Sequence, residues 1–255
     1  MCPPTSFAVT YTGNPWMDPS TPVDRDLALH QWQVLRDTYR ALGHRVATID
    51  PVADLPDMVF AANGGFVRDG RAVAARFRNP QRAAEADAYA AWYAAAGYAT
   101  VAAEAPFEGE GDLLVVGDVV LAGHGFRTDP RAHRQVAEVT GAEIVSLELV
   151  DPRYYHLDVA LCPLGDTIAY LPAAFADAAR AELEGRYPDA IEVTEEDAAW
   201  LALNALCDGL HVVLPVQAET FAAQVAAAGF QPVPVDVSEF RKSGGGVKCM
   251  TAELH

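Results

Sequence analysis

The chain is poor in positive charge: 18 Lys and Arg stand against 35 Asp and Glu among 255 residues, a formal net charge of −17. Nucleic-acid binding needs clustered cations to neutralise phosphates, so this balance excludes a nucleic-acid partner, and it works equally against an anionic membrane surface. Cysteine is scarce too. Cys2, Cys162, Cys207 and Cys249 form neither a disulfide framework nor a C-x-x-C metal spacing, which fits a reducing, cytoplasmic setting. Apolar runs are short of the ~20 residues a membrane-spanning helix needs, and the opening MCPPTSFAVTYTG lacks the basic and apolar regions of a signal peptide. G-x-S-x-G, H-E-x-x-H and Walker A motifs are absent, and Gly109-Glu110-Gly111 lacks the third glycine of a dinucleotide loop. His124 and His133 have no recognised ligand spacing, so neither a metal nor a cofactor is expected.

What the chain does have is 51% apolar side chains, enough to offset chain entropy in a packed core. Ala28, Trp32, Leu35, Tyr39 and Leu42 repeat at helical spacing and stop at Gly43, which predicts an amphipathic helix from Val23 to Leu42. Capping Asn or Asp, Pro at the first position and a terminal Gly predict two more, from Asn79-Pro80 to Gly97 and from Asp129-Pro130 to Gly141. Others are expected over Pro172–Tyr187, Thr194–Leu201 and Gln217–Ala228. Between the helices, MVFAANGGFVRDGRAVAARF, GDLLVVGDVVLAG, DVALCPLGDTIAYL and LNALCDGLHVVLP each read as a hairpin, two apolar runs about a Gly or Asp turn.

These hairpins recur about every fifty residues, the mark of a repeat architecture or an internally symmetric enzyme. A fifth strand, GVKCMT from Gly246, lacks its partner at the C-terminus, while FAVTYT from Phe7 stands alone at the N-terminus. Pairing the two would close a ring of five units. In such a ring the first strand of each unit delivers side chains to a common axis: Asp57 and Asn63, then Glu108, Glu110 and Asp112, His156 and Asp158, Asn204 and Asp208, and Cys249. A set this polar and acidic is costly to bury alone, and a cationic ligand would balance it.

Cys249 follows Ser243-Gly244-Gly245-Gly246-Val247-Lys248, where glycines admit close backbone approach and Lys248 could favour thiolate. Cys162 and Cys207 read as small core residues, and Cys2 as surface or terminal. His156 and Asp158 share a strand face by alternation. With Cys249 at the equivalent place in another unit, a Cys/His pair forms, and the EGEGD segment can supply the acid that orients the imidazole.

Five ordered segments carry a family resemblance: NPWM at Asn14–Met17, PDMVFAANGG at Pro56–Gly65, FEGEGD at Phe107–Asp112, YYHLD at Tyr154–Asp158, and GGGVKCMT near the end. The chain resembles the guanidine-modifying (pentein) superfamily over essentially its whole length. It is most similar there to bacterial dimethylarginine dimethylaminohydrolases and to arginine dihydrolase catalytic domains. The resemblance implies an α/β fold, a five-bladed pseudo-symmetric propeller of ββαβ units, forming one catalytic domain over residues 1–255, with dimers common among relatives. It implies that the thiolate of Cys249 attacks the guanidinium carbon of arginine or a methylated arginine to give an S-amidino intermediate, which water then hydrolyses. His156 would be the acid and base, oriented by Glu108. Asp57, Asp158, Asn63 and Asp112 would surround the guanidinium. Arg82, with Arg76 and Arg78 as alternatives, would grip the substrate carboxylate, and Asn14 would act as a contact or lid residue. Transfer of the amidino group to an amine, or arginine binding without catalysis, are the alternatives. An acid at position 158 suits the N–H donors of an unsubstituted guanidinium, whereas a dimethylated nitrogen has none to give; this favours free arginine.

Overall fold

In a computed structural model, which describes residues 1–255 throughout, four hairpins form where alternating apolar runs meet glycine turns. They are β1 Gly65–Arg68 with β2 Arg71–Ala74, β4 Leu113–Val116 with β5 Val119–His124, β7 Leu161–Leu164 with β8 Thr167–Tyr170, and β10 Leu206–Cys207 with β11 His211–Pro215. The turn between β1 and β2 is made by Asp69 and Gly70, both at positive φ (50° and 75°), the twist a two-residue hairpin requires. A helix then carries the chain back to a third strand parallel to the second. These helices are α2 Glu85–Ala95, α3 Pro130–Thr140, α4 Asp177–Arg186 and α6 Glu219–Ala227, and the strands are β3 Ala99–Ala102, β6 Glu143–Glu148, β9 Ile191–Glu192 and β12 Gln231–Val235. Four three-stranded ββαβ sheets result. Short helices α5 Glu195–Ala198 and α7 Ser238–Arg241 lie in the connections.

Helix ends follow local chemistry. Asp129 caps α3 through its side chain, worth about 1 kcal/mol, and Gly141 ends it in the left-handed conformation. Thr194 caps α5 by accepting from the Asp197 amide. Helix α1, Arg25–Ala41, turns Ala28, Trp32, Leu35 and Tyr39 inward as its spacing predicts, and burying a side chain such as Leu35 contributes about 1.5–3 kcal/mol. The expected Asn79 start of α2 is different: Asn79 caps nothing, Pro80–Arg82 forms a separate 3-10 turn, and the helix begins at Glu85. The break turns Arg82 inward, where its guanidinium meets Glu85.

Two expectations are corrected. FAVTYT and GVKCMT do not pair, and neither is a strand. The amides that would have entered that ladder are satisfied in other ways: Lys248 N–H donates to the Asn204 carbonyl (3.2 Å), Cys249 N–H to Asn204 Oδ1 (3.1 Å), and Met250 and Thr251 N–H to the turn preceding them. The fifth unit is closed by side chains instead. Gln31 of α1 donates to Asp236 and Ser238 and accepts from the Glu239 amide, Asp24 N–H donates to Glu239, and Asn14 Nδ2 donates to the Ser243 carbonyl. Phe7 stacks on Phe240 and meets Phe60 edge-on beneath this seam. Cys2, expected at the surface, is fully buried with Ile49, Met58, Tyr89 and Tyr93, because the N-terminus is held down by the Met1 amine on the Ala47 carbonyl and the Ile49 amide on the Met1 carbonyl.

Candidate active site

Most of the polar residues read as axial converge, but from turns rather than from strands. A 3-10 turn precedes the first strand in three units: Pro56–Val59 with Ala61–Gly64, Gly109–Gly111, and Leu157–Val159. Such turns let polar side chains gather where a regular ladder would have demanded alternation. Their approach depends on glycine. A β-carbon on Gly109, which sits at φ 55°, would lie 2.5 Å from the Ala62 and Gly65 carbonyls, and one on Gly111 would lie 2.4 Å from Asn63 Nδ2.

Cys249 is buried and its sulfur is held between two neighbours: Sγ donates to Asp158 Oδ2 (3.1 Å) and accepts from Asn204 Nδ2 (3.0 Å). Burial, then the Asp158 carboxylate, pushes the thiol well above its ordinary pKa. Asp158 is itself fully buried, and burial pushes its carboxyl up to about 7. Lys248 does not face the thiol as its sequence position suggested. Its ammonium points to Glu110 (2.6 Å) and Glu253 (2.7 Å), since adjacent residues in this turn project differently and a buried ammonium goes to carboxylates.

His156 Nε2 lies 2.8 Å from Glu108 Oε2. Burial raises the Glu108 carboxyl, but the Arg127 guanidinium at 2.9 Å and the His156 hydrogen bond outweigh it and hold the group well below the usual carboxylate range. Glu108 is therefore a lasting anion behind the imidazole, the arrangement that keeps a proton on Nε2 and leaves Nδ1 for chemistry. Nδ1 of His156 has no protein partner, and neither do Asp158 Oδ1 and Asn63 Nδ2. Buried polar atoms are nearly always paired, so the unpaired oxygen of Asp158, on the residue that holds the Cys249 sulfur, and the unpaired Asn63 amide, which shares a pocket with Cys249, mark a place for a polar ligand.

A narrow pocket reaches Cys249 between Tyr11, Asn14, Met17, Asp57, Phe60, Asn63, Arg82, Arg127, Tyr155, Ser243 and Gly245. Asp57 accepts from Tyr11 Oη (2.6 Å) and Ser243 Oγ (3.4 Å). Of the three candidate arginines only Arg82 is buried in this wall; Arg76 and Arg78 are exposed. Arg82 donates to Glu85 twice, to Asn63 Oδ1 (2.7 Å) and to the Asp57 carbonyl (3.2 Å), leaving one Nη1 N–H without a partner. Asn14 clamps the Ser243 carbonyl, and Trp16 closes beside it by donating to the Arg153 carbonyl.

Three expected positions lie elsewhere. Asp112 stands behind His156, its Oδ1 accepting from the Leu157 amide (3.1 Å) and its Oδ2 4.0 Å from His156 Nε2. Glu110 turns to Lys248. Asp208 sits on the β10–β11 turn, its carboxylate taken by His44 and His211, and it lines a different cavity. Sequence reasoning missed Arg127 and Tyr155. Arg127 bridges Glu108 and the Gly13 carbonyl while lying over the Tyr155 ring (4.6 Å), and Tyr155 Oη donates to the Gly244 carbonyl. Tyr155 stands within the quoted YYHLD segment and could have been weighed there, whereas GFRTDP gives Arg127 no distinguishing local signal.

Repeating ββαβ units that set a buried cysteine on Asp158, with a Glu-held histidine two residues before that aspartate, define the class of guanidine-modifying, pentein-type enzymes with a nucleophilic cysteine. A protein-family profile described as N,N dimethylarginine dimethylhydrolase, eukaryotic, matches residues 11–255. The chain is 57% identical over 256 residues to the N(G),N(G)-dimethylarginine dimethylaminohydrolase of Mycobacterium tuberculosis, covering 100% of this chain and 85% of that protein. It belongs to the dimethylarginine dimethylaminohydrolase family. It is also 36% identical over 262 residues to the bifunctional arginine dihydrolase/ornithine cyclodeaminase ArgZ of Synechocystis, covering 100% of this chain but 37% of that protein. The crystal structure of the N-terminal domain of ArgZ bound to product superposes with a TM-score of 0.96 at 35% identity, over 100% of this chain and 96% of that one. A second structure of that domain, covalently bound to a reaction intermediate, superposes equally, with a TM-score of 0.96 at 34% identity over the same shares.

Proposed function

We propose that this protein, acting as a single catalytic domain in the cytoplasm, hydrolyses the guanidinium C–N bonds of free arginine or an Nω-methylated arginine. The observation that carries the reading is the buried Asp158, with one carboxylate oxygen on the Cys249 sulfur and the other unpaired. A guanidinium held there would pair with the free oxygen and bring its planar carbon to the sulfur. The cation would also lower the cost of forming thiolate, which the empty site opposes. The thiol proton passes to His156, and attack by Sγ on the guanidinium carbon gives a tetrahedral adduct. Its collapse breaks one C–N bond, with His156 giving a proton to the departing amine, and leaves an S-amidino group. His156 then takes a proton from the water that attacks this group and returns it to the sulfur as the C–S bond breaks, which restores the thiol. Glu108 holds the imidazole through both steps. Asp57 and Asn63 line the guanidinium end, Arg82 offers its remaining N–H to the substrate carboxylate with Arg127 beside it, and Asn14 holds the loop that covers them.

Free arginine is favoured by the open acceptor on Asp158, which suits an N–H and gives a dimethylated nitrogen nothing to pair with. Methylarginine is the second reading, favoured by the 57% identity to a dimethylargininase. Incubation with each compound separates them: ornithine with ammonia means dihydrolase, citrulline with ammonia means deiminase, and citrulline with dimethylamine means dimethylargininase. Absence of product from both compounds would refute the reading.

A further inference from the structure

Every second residue from Glu108 to Asp112 is acidic, and each carboxylate has a different partner. Glu108 holds His156, and Asp112 holds the amide of Leu157, the residue after it. Glu110, between them, takes no part in the pocket. Its Oε2 accepts from Lys248 Nζ (2.6 Å) and from the backbone N–H of Glu253 (2.8 Å). Lys248 Nζ also donates to Glu253 Oε2 (2.7 Å) and to the Thr251 carbonyl (3.4 Å). Lys248 and Glu110 are 3% and 2% exposed, and a buried ammonium persists only when it is this fully paired. Lys248 immediately precedes Cys249, and the backbone of both residues is held from the other side by Asn204. The loop bearing the nucleophile is thus clamped between Asn204 and the turn that bears Glu108.

We infer that Glu110, Lys248 and Glu253 form a positioning triad, which fixes the backbone of Cys249 against the Glu108–Asp112 turn so that the sulfur and the His156–Glu108 pair stay in register. This rests on the hydrolase reading above. Reacting groups must meet within about 3–3.5 Å, and a displacement of about 1 Å costs on the order of 10²-fold in rate. Lys248→Met is therefore expected to lower kcat about 10²-fold and leave KM within about threefold, because the pocket wall is untouched. The double variant Glu110→Gln/Lys248→Met removes an uncompensated buried carboxylate and is expected to regain thermal stability while its kcat stays low. A merely structural role predicts the opposite, kcat recovering with stability. That result, or a folded Lys248→Met with kcat within twofold of wild type, overturns the inference.

Should Lys248→Met fail to fold, Glu253→Gln, at a partly exposed carboxylate, is read the same way. About a tenfold fall in kcat is then expected, and a change under twofold overturns the triad. Failure of the hydrolase reading would show in the wild-type protein, as no product from either compound. Amide hydrogen exchange reads the triad without any substrate: Glu253→Gln is expected to speed exchange at Cys249 and Thr251 at least tenfold. Unchanged exchange overturns the inference independently.

Discussion

Two concavities in this molecule have no lining residue in common. One is a cavity of about 370 Å³ walled largely by apolar and aromatic side chains, among them Tyr39, Ile49, Tyr89, Trp92 and Tyr93, with His44, Asp208 and Glu253 at its edge. The other is the narrow pocket at Cys249, lined by Asp57, Asn63, Arg82 and Arg127. By volume and apolar lining the first resembles an ordinary ligand site. Yet most polar groups at its edge are already paired: Asp208 with two histidines, Glu253 with Lys248, Tyr39 with Thr251. At Cys249, by contrast, Asp158 Oδ1, on the residue that holds the sulfur, and Asn63 Nδ2, in the pocket wall, are buried without partners. Unmet hydrogen bonds beside a nucleophile, not room, are what distinguish the reactive site, because each costs about 1–3 kcal/mol that a ligand can recover.

The contrast can be broken most decisively at the sulfur. Cys249→Ala is expected to reduce turnover of arginine or methylarginine by at least about 10⁴-fold, read as product formed per hour, because the covalent path is removed. Asp158→Asn keeps the shape of the site and removes its charge; a fall of about 10²-fold in kcat/KM is expected, since charge-assisted hydrogen bonds to the guanidinium are lost. A smaller effect follows from pH. The Asp158 carboxyl, raised to about 7 by burial, is mostly protonated at pH 6 and mostly ionised at pH 8. If arginine pairs with the ionised form as proposed, its affinity for Cys249→Ala, measured calorimetrically, should rise about tenfold over that interval. The sign for stability is opposite: a carboxyl raised on folding favours the folded state at low pH, and this contribution is lost as pH rises towards 7. The least effect is expected in the larger cavity. Trp92→Leu should lower stability by about 1–2 kcal/mol in urea unfolding while kcat stays within twofold, and a large loss of kcat there would erase the distinction between the two concavities.

Legibility from sequence varied with the range of the interactions. Hairpins at Asp69-Gly70 and caps such as Asp129 were readable because a turn or a helix end is decided within a few residues. Convergence of Asp57, Asn63, Glu108, His156, Asp158 and Cys249 was also readable, since the repeat places equivalent positions on one axis. Their carriers were misread as strands, because 3-10 turns such as Gly109–Gly111 have no periodic signal of their own. The direction of a side chain was least accessible. Lys248 was expected to serve the thiol and instead faces Glu110, while Asp208 was expected on the axis and instead binds His44 and His211. Arg127 could not be singled out, as its partners Glu108 and Gly13 are distant along the chain.

By itself the sequence determined the ββαβ repeat, its punctuation and the residue types gathered at the centre, since periodicity, glycine turns and caps act locally. The tertiary structure alone decided which of the acids face Cys249 and which face Lys248, and how the fifth unit closes through Gln31, Asp24 and Asn14 without a ladder. Those outcomes depend on burial: once enclosed, each charge must find a partner, and the partner available is set by packing between segments far apart in the chain.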